Sequence, residues 1–172
     1  KELGVNDDIN RNTFTKVLSE ARFTAVACGY GHTIVLDYQG KLWGCGRGGA
    51  LGLVNTNQDR LIEIPCEEPT FTEMSCDLFS TMVLDDQGHL WSCGKNYDDY
   101  MVTNGNNSTH PLTYVPTNSA FTKVSCRNSS AIALDDKGGL WISNVGLRCE
   151  FNSCCPDVIF TNISCNTRYM IA

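Results

Sequence analysis

Four hexapeptides of one pattern recur along the chain and leave little choice of architecture. Phe23-Thr24-Ala25-Val26-Ala27-Cys28 returns as Phe71-Thr72-Glu73-Met74-Ser75-Cys76, as Phe121-Thr122-Lys123-Val124-Ser125-Cys126 and as Phe160-Thr161-Asn162-Ile163-Ser164-Cys165, at spacings of 48, 50 and 39 residues. A second block follows in phase: Ile34-Val35-Leu36-Asp37-Tyr38-Gln39-Gly40-Lys41-Leu42-Trp43 matches Met82 to Trp91 and Ile132 to Trp141. Two blocks at a constant offset mean that one supersecondary unit is repeated, and such a unit buries its apolar faces only against its neighbours.

Each unit reads as strand rather than helix. Val and Cys of the first block fall two apart and face one side, and the second block is a short apolar run bounded by turn residues. Between its runs stands Asp-x-x-Gly, which suits a type I turn. Asp37, Asp85 and Asp135 are expected to accept hydrogen bonds from the turn amides, with Gly40, Gly88 and Gly138 in the left-handed position of a bulged hairpin. A further strand is expected at Leu61 to Ile64 and at Leu112 to Val115, each ending before a proline that limits the ladder. The unit is thus four short antiparallel strands.

Four-stranded repeats of this length point to an all-β fold of propeller blades, about three and a half in this chain. The expected units are a partial one over 1–22, full ones over 23–70, 71–120 and 121–159, and a partial one over 160–172. Cys28, Cys76, Cys126 and Cys165 are expected as small buried hydrophobes between blades. Trp43, Trp91 and Trp141 recur because each closes the same part of a blade. Spread around a ring, they do not converge into an aromatic box.

Composition narrows the function. The net charge of −6, from 13 basic and 19 acidic residues, opposes binding to a phosphate backbone, so nucleic acid is not an expected partner. The longest apolar runs are short, such as Ala131 to Leu134, so no membrane span is expected. The closest group among ten cysteines is Cys149, Cys154 and Cys155, with no Cys-x-x-Cys pair, and no zinc site is expected. The repeat cysteines, on successive blades, are too far apart to bridge. Reduced cysteines fit a cytoplasmic setting, with the nucleus as the alternative. The sequons at Asn107-Ser108-Thr109 and Asn162-Ile163-Ser164 read as chance matches.

No catalytic residue or cofactor ligand emerges. His32 lacks a carboxylate and nucleophile at recurring spacing and reads as a core or turn hydrogen-bonding group. Gly46-Arg47-Gly48-Gly49 lacks the Lys-(Ser/Thr) end of a phosphate loop and reads as a turn. The candidate recognition surface is then the loops, at 6–12, 47–60, 95–110 and 144–155. Tyr97, Asp98, Asp99 and Tyr100 are the most distinctive group among them, suited to a partner with a basic patch.

The repeat resembles that of the regulator of chromosome condensation family. Gly29, His32, Thr33, Leu36, Gly40, Leu42, Trp43 and Gly46 fall on its pattern. Ala50-Leu51-Gly52 stands for the Gln-Leu-Gly segment that follows, and Glu2-Leu3-Gly4 resembles the same segment of a preceding unit. Later units depart from it: Ser80 and Ser130 replace the histidine, Tyr100-Met101-Val102 stands for Gln-Leu-Gly, and Ser143-Asn144 follows Trp141. The resemblance implies a seven-bladed propeller, and hence either a fragment of a protein of about 350 residues, the favoured expectation, or two pieces pairing to close a ring. Members act as exchange factors for small GTPases, as chromatin binders or as interaction modules. The exchange activity of the namesake is attributed to an inserted β-wedge, for which no insertion is visible here. The leading expectation is a protein-interaction scaffold regulating a small GTPase. The alternatives are a guanine-nucleotide exchange factor and an assembly subunit that completes a ring by dimerising.

Overall fold

The computed structural model describes residues 1–53, 56–67, 69–95, 109–127, 130–143, 151–165 and 170–172. Strands β1 (Phe23–Cys28), β2 (His32–Asp37), β3 (Leu42–Gly46) and β4 (Gln58–Glu63) form one antiparallel sheet in chain order. Strands β5 (Phe71–Cys76), β6 (Ser80–Asp85), β7 (Leu90–Lys95) and β8 (Thr109–Val115) repeat it. So do β9 (Phe121–Arg127), β10 (Ser130–Asp135), β11 (Leu140–Ser143) and β12 (Phe151–Cys154). A two-stranded sheet, β13 (Ser164–Cys165) and β14 (Met170–Ile171), follows. The fourth strands begin earlier than Leu61 and Leu112, at Gln58 and Thr109, because the ladder to the third strand resumes after an irregularity.

The sheets stack side by side, which explains why the run that opens the second block, Met82 to Leu84 and its counterparts, is apolar at every position. Side chains of a strand alternate between two faces, and in the second and third sheets both faces are covered. Val83 packs toward the first sheet with Ile34, Leu36 and Met74. Its neighbours Met82 and Leu84 pack toward the third, with Val124 and Ala133. On β10 the same alternation sends Ile132 and Leu134 toward Phe160, Ile163 and Cys165.

The recurring threonine of the first block also has a structural cause. The register of β1 on β2 shifts between Phe23 and Ala25, and that of β5 on β6 between Phe71 and Glu73. The bulged residue, Thr24 or Thr72, donates its hydroxyl to a carbonyl of the facing strand, that of Leu36 or of Leu84 and Asp85. Thr122 does the same toward Leu134 and Asp135. A bulge leaves a ladder group unpaired, and a β-branched hydroxyl supplies the missing donor while keeping strand geometry.

Two expectations need correction. Of the four repeat cysteines only Cys126 is buried; Cys76 and Cys165 are half-buried and Cys28 is exposed. The reason is one of packing: Met74 and Val124 are covered by the neighbouring sheet, whereas the equivalent Val26 is 65% exposed and no described sheet lies over that face of β1. Gly46-Arg47-Gly48-Gly49 is more than a turn, since Gly48–Leu51 forms a 3-10 helix ended by Gly52 in the left-handed region.

Candidate functional site

The sheets have two ends of different character. At one end lie the hairpin turns between second and third strands. In each, an aspartate organises the turn as its spacing implied: Asp85 Oδ1 accepts from the amides of Gln87 (2.9 Å) and His89 (2.8 Å), and Oδ2 accepts from Trp91 Nε1 at 3.0 Å. Asp37 and Asp135 hold the same three partners, with Trp43 and Trp141 as the indoles. The tryptophan then meets the phenylalanine that starts the sheet edge-to-face, Phe23 on Trp43, Phe71 on Trp91 and Phe121 on Trp141.

Burial alone would raise the pKa of Asp85. The Trp91 indole, the His89 and Gln87 amides and the His89 ring together outweigh it and hold the carboxyl below its usual range. Asp37 and Asp135 are lowered in the same way. These carboxylates are therefore engaged as turn organisers rather than presented as general bases.

The left-handed glycine of each turn fastens the next sheet. Gly88 has φ 79°, and its carbonyl accepts from the amide of Phe121 at 2.8 Å. A Cβ at Gly88 would lie 2.6 Å from the Phe121 carbonyl oxygen, so the backbone approach and the φ both exclude a side chain. Gly40 and Gly138 make the same bond, to Phe71 and Phe160, at 2.9 Å. Between the second and third sheets this end opens into a cavity of about 680 Å³ lined by Asp86, Gln87, Ser119, Asp136 and Lys137 among others.

The opposite end carries the loops between first and second strands. There Tyr30, 74% exposed, meets Phe79 edge-to-face at 6.0 Å, and the Arg47 guanidinium lies 4.9 Å above the Phe79 ring. Arg47 is placed by its amide, which donates to the Gly31 carbonyl at 2.7 Å. A cation over an aromatic face contributes about 0.5–1 kcal/mol at an exposed site and holds both groups in one orientation. The cluster joins loops of two sheets above His32, whose Nε2 lies 3.1 Å from Thr81 Oγ1. His32 is 1% exposed, in line with its expected hydrogen-bonding role, and burial pushes its pKa down to about 4 against a smaller opposing pull from Asp77.

Ala50-Leu51-Gly52 latches onto the following sheet beneath this cluster. The Ala50 carbonyl accepts from Thr81 Oγ1 at 3.2 Å and from Cys93 Sγ at 3.8 Å. Glu2 does the same on the first sheet, accepting from Thr33 Oγ1 at 2.8 Å and Cys45 Sγ at 3.2 Å. The resemblance of Glu2-Leu3-Gly4 to a Gln-Leu-Gly segment is therefore matched by its contacts.

Of the loops expected to carry function, 47–60 contributes Arg47. Tyr97, Asp98, Asp99 and Tyr100 lie outside the described residues, as do Asn144 and Cys149. Among the described residues no group of three or more His, Cys, Asp or Glu side chains is placed to hold a metal ion, and no cysteine is bridged. Tyr30 and Phe79 were missed by sequence reasoning because each stands alone between two strand blocks. The signal that could have found them is an aromatic residue where the repeat otherwise has small or polar ones.

Stacked four-stranded antiparallel sheets, each fastened to the next by its turn glycine, define a partial, unclosed β-propeller. Its blades are of the RCC1-repeat type: residues 23–50 match the regulator of chromosome condensation (RCC1) repeat. No curated protein matches the chain in sequence. Among solved structures it is similar to human WBSCR16, with a TM-score of 0.75 at 14% identity over 86% of this chain and 44% of that one. It is also similar to Prp20p from Saccharomyces cerevisiae, described with its binding properties to Gsp1p and histones, with a TM-score of 0.60 at 14% identity over 76% and 36%. Yeast RCC1 (Prp20) bound to Kap60 aligns with a TM-score of 0.57 at 17% identity over 70% and 32%. The chain thus spans less than half the length of these structures, and at these identities the likeness is one of fold.

Proposed function

We propose that this chain is a protein-binding propeller segment whose loop end engages a small GTPase and governs its nucleotide state. The observation that carries the proposal is the Tyr30–Phe79–Arg47 cluster: tyrosine and arginine are the residue types that dominate binding energy at protein interfaces, and here they are exposed and pre-oriented on a rigid scaffold. The nature of the partner is supported by the repeat's resemblance to a family that includes exchange factors, and by the fold shared with Prp20p, described with its binding to Gsp1p. That second point favours nucleotide exchange over a scaffold role without activity.

The test is nucleotide release from a panel of small GTPases, with binding followed in parallel. Acceleration that falls at least tenfold in Phe79→Ala and Arg47→Ala supports exchange. Binding without acceleration leaves the scaffold reading, and loss of both in the unmodified chain overturns the proposal. Assembly is favoured by a separate observation, the open face of β1 at Val26, whose equivalents Met74 and Val124 are buried in the second and third sheets. On this second reading the chain dimerises through that face, and a monomeric mass in solution overturns it.

A further inference from the structure

In a regular strand adjacent side chains point to opposite faces, so neighbouring cysteines keep their sulfurs apart. Cys154 and Cys155 depart from this. Strand β12 ends at Cys154, and Cys155 takes φ 55°, one of two positive-φ residues other than glycine among the described residues. The left-handed step brings the two Sγ atoms to 3.4 Å. That conformation strains a residue with a Cβ, and glycine would adopt it more easily. Cys155 is exposed, while Cys154 is half-buried and packs against the Ile132, Leu134 and Leu140 cluster. One thiol can thus meet a reagent from solution, and the other is held in place behind it.

We propose that Cys154 and Cys155 are a vicinal dithiol that closes reversibly to a disulfide by exchange with a small-molecule disulfide of the glutathione disulfide class. Cys155 gives up its proton and its sulfur attacks the reagent, breaking the reagent's S–S bond; one glutathione thiolate leaves and takes up a proton. Cys154 then gives up its proton and attacks Cys155 Sγ, forming the new S–S bond and expelling the second glutathione, which is protonated in turn. Two cysteine thiols are oxidised and one disulfide is reduced to two thiols. Adjacent Cα atoms lie about 3.8 Å apart, less than the roughly 4.4 Å lower bound of ordinary disulfides, so the bridge is strained and readily reduced. Strained, exposed bridges are the labile ones, suited to a switch rather than a staple. The site opens the connector to the last sheet: the Cys155 carbonyl accepts from the Val158 amide at 3.0 Å, and Phe160 donates to Gly138 just beyond it.

The experiment treats the full chain with glutathione disulfide and reads digested peptides by mass spectrometry. The expected result is loss of two hydrogens in the peptide holding Cys154 and Cys155, reversed by excess glutathione and unaffected by Cys149→Ser. Cys154→Ser should instead retain one glutathionyl group on Cys155. The proposal is overturned if Cys149→Ser abolishes the loss, since the bridge would then involve Cys149. It is equally overturned if the peptide stays unchanged while the exposed Cys28 in the same sample is glutathionylated.

Discussion

His32 Nε2 donates to Thr81 Oγ1 across 3.1 Å, joining the second strand of one sheet to the second strand of the next. The direction follows from the hydroxyl's single hydrogen, which Thr81 gives to the Ala50 carbonyl. The tautomer then leaves Nδ1 bare, buried and without a partner. A proton arriving there would be a buried charge with no acceptor, which is the physical reason for its pKa of about 4.

The sheet-to-sheet contact is therefore acid-sensitive. The unfolded chain protonates His32 near pH 6.5 while the folded chain resists until about pH 4, so the folded state binds fewer protons in that window and stability falls as pH falls. The full loss is about 3 kcal/mol at roughly 1.4 kcal/mol per pH unit. Urea unfolding followed between pH 7 and pH 4 should show this slope, reduced in His32→Gln. His110, also lowered by burial, adds a contribution of the same sign that remains in the variant. An unchanged slope in His32→Gln would refute the assignment.

A second acid-sensitive element lies at the turn end. Asp85 is held below its usual pKa, so its contribution is present above about pH 4 and disappears as pH falls through the folded value. Trp91→Phe removes the indole donor to a charged acceptor and should cost about 2 kcal/mol at pH 7, with less difference from the unmodified chain at acid pH. Equal destabilisation at both extremes would mean that packing against Phe71, rather than the hydrogen bond, holds the tryptophan.

Gly88→Ala combines a left-handed φ with a methyl group 2.6 Å from the Phe121 carbonyl. The expected cost is roughly 2–4 kcal/mol, read as a lowered denaturation midpoint. Gly31→Ala is the control: its nearest contact is Arg47 Cβ at 3.8 Å and its φ is unremarkable, so stability should change by less than about 0.5 kcal/mol.

First strands of successive sheets are stitched by a serine. Ser75 Oγ accepts from the amide of Cys126, and Ser125 Oγ from that of Cys165, both at 3.0 Å. Ser75→Ala should destabilise the protein by about 1–2 kcal/mol and speed hydrogen exchange at Cys126, because a buried amide loses its acceptor. Ser125→Ala should cost less, since Cys165 is only half-buried. The first unit has Ala27 at this position, so the serine is a device of the later sheets.

The sequence by itself determined the strands, the turns and the repeat unit, because each depends on neighbours close along the chain. Asp85, Gly88 and Trp91 lie within seven residues, and the turn with its aspartate-to-amide hydrogen bonds could be read from spacing alone, whereas the Trp91 indole bond to Asp85 was added by the structure. The blade repeat was equally legible, since a period-2 strand with both faces apolar requires a sheet on either side. Only the tertiary structure decided what depends on which sheet covers which face. Cys28 and Cys126 hold the same place in the repeat, yet one is exposed and the other buried, because burial belongs to the neighbouring sheet and not to the hexapeptide. Likewise Tyr30, Arg47 and Phe79 carry no shared pattern. They meet because stacking two sheets at the spacing imposed by the Gly40 and Phe71 bond brings three separate loops to one end, a juxtaposition that no local periodicity encodes.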